Sequence, residues 1–122
     1  MGDKDPLTEK IIACCFNVHN ELGPGFNERI YYNTLKISFE EAGIGYETEK
    51  EYLIFFKNKK VGSFRLDLLV EDKVIVEIKA LTGYIPEVFK YQVLSYLKAS
   101  GLHVGLLINF GNKSCQIKRF AV

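Results

Sequence analysis

From Leu7 to Leu22 the apolar residues Leu7, Ile11, Cys14, Cys15, Val18 and Leu22 recur at helical spacing, which predicts a first helix with Thr8 as a candidate cap. Gly23-Pro24-Gly25 ends it, because such a run cannot continue a helix and supplies the φ freedom of a sharp turn. A second helix is expected from about Asn27 to Ala42, with Glu28, Tyr31, Leu35, Phe39 and Ala42 on one stripe and Gly43 as its stop. After Gly45 the period turns strand-like. Tyr46 to Phe56 and Val61 to Val70 read as two strands joined by the polar turn Lys57-Asn58-Lys59-Lys60, and Val74 to Lys79 as a third beyond the turn at Glu71-Asp72. Pro86 opens a helix to about Ser100, Leu102 to Phe110 reads as a buried strand, and a last strand is expected over Ser114 to Phe120. The order ααβββαβ(β) predicts an α/β fold with a mixed sheet covered on both faces, the succession from Val74 to Phe110 forming a crossover.

Composition narrows the classes without naming a function. The 122 residues are 48% hydrophobic and 25% charged, with 16 basic against 15 acidic side chains, so one domain spanning 1–122 is expected, with residues 1–6 flexible. A net charge of +1 argues against a polybasic binder, and 9 Phe with 7 Tyr argue against disorder. Any polyanion must therefore be held by local geometry. Cys14, Cys15 and Cys115 offer neither a disulfide framework nor zinc spacing, which favours a reducing cytoplasm and buried thiols over redox or iron-sulfur chemistry. The charged start carries no secretory signal, and Pro6 stands where myristoylation after Gly2 needs Ser or Thr. The apolar runs at Leu68 to Val70 and Leu106 to Ile108 are too short to span a bilayer.

The informative residues are those that break the pattern. Asp67 interrupts Phe64-Arg65-Leu66-Asp67-Leu68-Leu69-Val70, although aspartate is costly to bury without a partner. Glu77 and Lys79 are two residues apart and share one strand face. A three-residue loop Glu71-Asp72-Lys73 pairs Val70 with Val74 and sets Asp67 opposite Glu77 and Arg65 opposite Lys79, whereas a two-residue loop sends Asp67 to the other face. In the first register two carboxylates converge, a repulsion that a cation or a proton relieves. Oxygen ligands suit Mg²⁺ or Mn²⁺, and Lys79 beside such an ion could orient water and stabilise charge on a phosphate. An ion-pair cluster of Lys79, Glu77, Arg65 and Asp67 is the alternative reading of the same spacing. Glu28 shares the apolar stripe of Tyr31 and Leu35, as a site acid or as a first-turn carboxylate favoured by the helix dipole. Gln92, four residues before Tyr96, projects from a mostly apolar helix, as a site amide or a satisfied helix-sheet hydrogen bond.

Taken together, these residues resemble the PD-(D/E)XK, or restriction-endonuclease-like, superfamily, and within it the small prokaryotic family named for a GxxExxY motif. That motif stands here as Gly25-Phe26-Asn27-Glu28-Arg29-Ile30-Tyr31, after Val18-His19-Asn20-Glu21-Leu22-Gly23-Pro24. Further matches are Arg65 to Val70, Val76-Glu77-Ile78-Lys79-Ala80, Gln92 through Tyr96-Leu97-Lys98-Ala99, and Gly105 to Gly111. The resemblance implies a restriction-endonuclease-like three-layer core in which Asp67, Glu77 and the carbonyl of Ile78 hold a metal and Lys79 is the catalytic lysine. Glu28 would reach the metal directly or through water, and Gln92 would be an accessory residue. His19 and Tyr31 enter as residues that recur in the motif. Leu66 replaces the proline of the superfamily motif, and Phe89-Lys90 stand where His and an acid are expected.

The function so implied is a Mg²⁺- or Mn²⁺-dependent nuclease acting on DNA ahead of RNA. Arg65, Lys90, Tyr96 and Lys98 are the candidate substrate contacts, alongside His19 and Tyr31. A catalytically silent nucleic-acid-binding or assembly module on the same fold is the alternative, since fold does not fix function. A homodimer or a partner protein would supply sequence specificity, and no membrane partner is expected.

Overall fold

A computed structural model describes residues 5–122 of the chain. Of the flexible start expected over residues 1–6, residues 1–4 lie outside the described residues, while Asp5 and Pro6 belong to the first helix. Helix α1 spans Pro6–Leu22 and α2 spans Glu28–Glu41. The cap of α1 is Asp5, not Thr8: Asp5 Oδ1 accepts from the Leu7 N–H at 3.1 Å and Oδ2 from the Thr8 hydroxyl at 2.9 Å. Pro6 sets this boundary, having no N–H to satisfy and a φ already suited to the first helical position. Asn27 caps α2 through its side chain on the Ile30 N–H.

Seven strands follow or flank a third helix. They are β1 (Tyr46–Thr48), β2 (Glu51–Phe56), β3 (Lys59–Arg65), β4 (Leu68–Val70), β5 (Val74–Lys79), β6 (Val104–Asn109) and β7 (Gln116–Ala121), with α3 (Glu87–Ser100) between β5 and β6. The main sheet has the order β1-β4-β5-β6-β7, with β5 and β6 parallel and the other neighbours antiparallel. Val70 pairs with Val74, as the three-residue loop requires.

Two expected strands, Tyr46 to Phe56 and Val61 to Val70, are each broken in the middle. They form one antiparallel ribbon that bends where Glu49-Lys50 faces Leu66-Asp67. Glu49 takes a left-handed φ of 51°, its N–H donates to the Asp67 carbonyl at 3.2 Å, and the Leu66 N–H donates to the Lys50 carbonyl at 3.1 Å. Below the bend β1 pairs with β4 in the main sheet; above it β2 and β3 form a separate hairpin. The bend carries Phe64 and Leu66 onto α3, where both are buried and Phe64 stacks between Tyr52 and Tyr96. That burial favours bending over continuing in the sheet plane. It also corrects one expectation: Arg65 pairs with Glu51 and not with Lys79. The hairpin turn is shorter than expected. Lys57 and Asn58 alone adopt positive φ (49° and 65°), a two-residue geometry whose twist matches the strands, and Lys59 and Lys60 belong to β3.

The sheet is covered on both faces. Helices α1 and α2 enclose one face with Ile11, Cys14, Cys15, Tyr31, Leu35 and Phe39 against Val74, Val76 and Ile78. Helix α3 and the hairpin cover the other with Val93, Leu97, Phe64 and Leu66 against Leu69, Ile75 and Leu107. The approach of α3 to β6 depends on Gly105, since a Cβ there would meet Val93 Cγ1 at 2.7 Å. All three cysteines are free, and Cys14 and Cys15 act as buried apolar side chains. Among the described residues no helix is long and apolar enough to cross a membrane.

Candidate active site

Strand alternation places Ile75, Glu77 and Lys79 of β5 on the face that α3 covers, with Leu69 and Asp67 of the neighbouring segment on the same side. The regular ladder stops at Leu68 and Val76, one residue before the two acids meet. Beyond it the side chains take over the pairing. The Asp67 N–H donates to Glu77 Oε2 at 2.8 Å, and the Ile78 N–H donates to Asp67 Oδ2 at 2.8 Å. Each carboxylate is thus fixed by the main chain of the other's strand. The bend frees those two N–H groups, because it turns the backbone of Leu66-Asp67 toward Lys50 and Glu49. These bonds occupy Oδ2 and Oε2 and leave Oδ1 and Oε1 for an outside ligand. In an extended strand the N–H and C=O of one residue point to the same side, so the Ile78 carbonyl faces the edge where Asp67 sits.

The electrostatics follow from this burial. Glu77 is 4% exposed, and loss of solvent together with the Asp67 charge pushes its carboxyl up to about 8. Asp67, half-buried, is also raised, chiefly by desolvation and against the Ile78 hydrogen bond. Two buried carboxylates this close favour a proton or a cation between them.

Above the acids lies an open cavity of about 260 Å³ lined by Glu28, Arg29, Tyr32, Glu49, Asp67 and Ile78. Glu28, at the first position of α2, is exposed at its rim; desolvation raises its carboxyl, Lys79 lowers it and Asp67 raises it further. Arg29 reaches across to Glu49 at 3.9 Å and lies 4.7 Å from the Tyr32 ring centroid. Lys79 shares the face of Glu77, and its Nζ rests 4.1 Å over the Phe89 ring. Among the described residues neither Lys79 nor Arg65 makes an ion pair with Asp67 or Glu77, so the four-membered ion-pair cluster does not form.

The other candidates separate. Tyr96 stacks on Phe64 at 4.3 Å, its phenol raised by desolvation and then by the Glu77 and Asp67 charges, so it belongs to the wall nearest the acids. Gln92 is half-buried one turn earlier on α3 and does not line the cavity. Lys90 is held by Glu87 at 2.8 Å, while Lys98 and Arg65 are exposed away from the cavity lining. Two expectations are corrected. Tyr31 is 0% exposed, donates to the Gly23 carbonyl at 2.5 Å, accepts from the Phe26 N–H at 3.2 Å, and stacks on Phe110 at 4.8 Å. It fastens the Gly-Pro-Gly turn and cannot touch a substrate. His19 is buried too, with Nε2 2.8 Å from the Asn112 carbonyl and its ring stacked on Phe110.

Several residues at the site escaped the sequence reading. Asn109, opposite Lys79 on β6, is 0% exposed and spends its amide on the segment after Lys79: Oδ1 accepts from the Leu81 N–H at 2.7 Å, and Nδ2 donates to the Leu81 carbonyl at 2.9 Å. Gly111 lets that segment pass, since a Cβ there would lie 2.4 Å from Leu81 main-chain atoms. An Asn inside Leu106-Leu107-Ile108-Asn109-Phe110 is the same kind of anomaly as Asp67 and carried a readable signal. Arg29, Tyr32 and Glu49 carried none, because the bend decides that they converge.

Among the described residues no group of three or more His, Cys, Asp or Glu is gathered for a metal. The protein offers two carboxylate oxygens and one carbonyl, a sparse oxygen set that fits a hard divalent cation whose other positions go to water and phosphate. No curated protein matches the chain. Among solved structures it is similar to the crystal structure of SSO0001, with a TM-score of 0.61 and 22% identity over 77% of this chain, which spans 50% of that one. That likeness concerns the fold. Residues 5–120 match the family model of the PD-(D/E)XK nucleases, and with the bent ribbon, the paired acids and the lysine two residues on, this chain belongs to the PD-(D/E)XK nuclease superfamily.

Proposed function

We propose that the protein is a divalent-cation-dependent nuclease that hydrolyses phosphodiester bonds, in DNA ahead of RNA. The observation that supports this most directly is the reciprocal tie between Asp67 and Glu77, which leaves one oxygen of each without a partner among the described residues, Asp67 and Ile78 lining an open cavity and Glu77 buried beside Asp67. A bound Mg²⁺ or Mn²⁺ would polarise the phosphate and lower the pKa of water there. In hydrolysis a water oxygen bonds to phosphorus, the bond from phosphorus to the sugar oxygen breaks, the water gives up a proton and the leaving oxygen gains one. Lys79, flexible on Phe89, supplies positive charge to the phosphate as it becomes more negative. Glu28 orients water at the rim, and Arg29 is the guanidinium in the cavity suited to a phosphate oxygen. Tyr96 borders the acids from α3; Gln92, Arg65, Lys90 and Lys98 remain for contacts farther along the substrate. Specificity would come from a second copy or a partner protein.

A silent binding module draws support from one observation, the resting place of Lys79 on Phe89 and not on an acid. The test is cleavage of duplex, single-stranded, branched and RNA substrates with Mg²⁺ or Mn²⁺ by wild type, Asp67→Ala, Glu77→Ala and Lys79→Ala. The acid variants should fall at least about 1,000-fold and Lys79→Ala about 100- to 1,000-fold. Equal cleavage by all four means a contaminant, and no cleavage by wild type favours the binding module. Thermal melting gives a substrate-free check: Mn²⁺ should raise the Tm of wild type and not of Glu77→Ala.

A further inference from the structure

The β2–β3 hairpin stands beyond the helix that covers its base. Tyr52 and Phe64 are packed under Tyr96, but Leu53, Phe55, Phe56 and Val61 farther out are 46%, 57%, 63% and 63% exposed. Alternation along β2 puts Leu53 and Phe55 on one face and Ile54 and Phe56 on the other, so both faces of the outer half are bare. The turn between them is basic. The hairpin, residues 51–65, carries Lys57, Lys59, Lys60 and Arg65 against Glu51 alone, whereas the rest of the chain holds 12 basic against 14 acidic residues. The strand that ends in Arg65 runs directly into Asp67, so this arm is continuous with the candidate active site.

We infer that the hairpin is a nucleic-acid contact selective for unpaired nucleotides, an inference that takes the polyanion substrate from the reading above and adds its strandedness. Charge complementarity names the partner class, because a +3 arm on an otherwise acidic body fits a phosphate chain. The aromatic rings name the strandedness. A duplex offers its outside mainly as phosphate and sugar, which gains nothing from Phe55 or Phe56, whereas unstacked bases offer faces on which those rings can stack. A second copy meeting the hairpin through a two-fold contact would instead set lysines against lysines.

The test measures fluorescence anisotropy of a labelled oligodeoxynucleotide, single-stranded or annealed to its complement, with the full-length Asp67→Ala protein in EDTA so that no cleavage intervenes. Phe55→Ser/Phe56→Ser should weaken single-strand binding about tenfold or more and duplex binding less than about twofold. Lys57→Gln/Lys59→Gln/Lys60→Gln should lower the slope of log affinity against log salt by about 2 on the single strand. The second variant keeps the test open if the first fails to fold. Unchanged single-strand binding, or equal losses on both probes, overturns the inference. So does a change in sedimentation with no change in binding, which would make the hairpin a surface between copies. Absence of cleavage by wild type would sink the nuclease reading yet leave this binding result standing.

Discussion

The two faces of the sheet differ in how completely their groups are satisfied. On the α1/α2 face 17 residues form one closed cluster, and the polar atoms at its border are satisfied within the protein, the Tyr31 hydroxyl on the Gly23 carbonyl and the His19 ring on the Asn112 carbonyl. On the α3 face the buried cluster has 8 residues, the edge is left open by the ribbon's bend, and Asp67, Glu77 and Lys79 gather there. The first face supplies rigidity, and the second keeps oxygens that the protein itself does not satisfy. A buried acid pair is tolerated because the opposite face holds its strands in place.

That contrast can be broken from either side. Phe39→Ala on the closed face, at the end of α2 away from Glu28, should cost about 3 to 5 kcal/mol of stability, read by denaturant unfolding, and leave cleavage per folded molecule unchanged. A large loss of cleavage by the folded protein would mean the faces are not separate. On the open face the effect reverses in kind and depends on pH. Glu77 titrates near 8 in the folded metal-free protein and at its ordinary, lower value when unfolded. Between those values the unfolded chain binds fewer protons, so stability should fall as pH rises from about 5 to 8, on the order of 2 to 4 kcal/mol. Glu77→Gln should flatten this slope, and Mn²⁺ should offset it. An unchanged slope in Glu77→Gln would show that the acids do not carry the penalty. The smallest effect belongs to Lys90. Its pair with Glu87 is partly exposed, so Lys90→Ala should change stability by less than about 1 kcal/mol.

The helices were legible because their signals are local. Apolar periodicity marks α1 to α3, and the glycines after α1 and α3 mark their ends. The strand pair that holds the acids was legible as two alternatives, and the three-residue loop seen between Val70 and Val74 selects the one that points Asp67 toward Glu77. The bend at Glu49-Lys50 was not legible. It depends on Phe64 and Leu66 finding α3, a contact between segments about thirty residues apart, and no local rule counts that gain. Strand spacing without the bend sets Arg65 beside Lys79, and it gives no reason for Arg29, Tyr32 and Glu49 to meet. Tyr31 and His19 show the opposite limit. A motif names residues that recur together, but hydrogen bonds and stacking decide whether they serve a substrate or a turn.

What the sequence determined by itself is therefore the succession of helices and strand segments and the shared face of Glu77 and Lys79, whereas the pairing of Asp67 with Glu77 hung on the length of one loop, which the pairing of Val70 with Val74 decided. Only the tertiary structure decided that the ladder ends before the two acids, that the freed N–H groups tie each acid to the other's strand, and that a cavity opens above them. The reason is physical. Spacing fixes the direction of a side chain, whereas its burial, its titration and the company it keeps depend on segments that meet only when the chain folds.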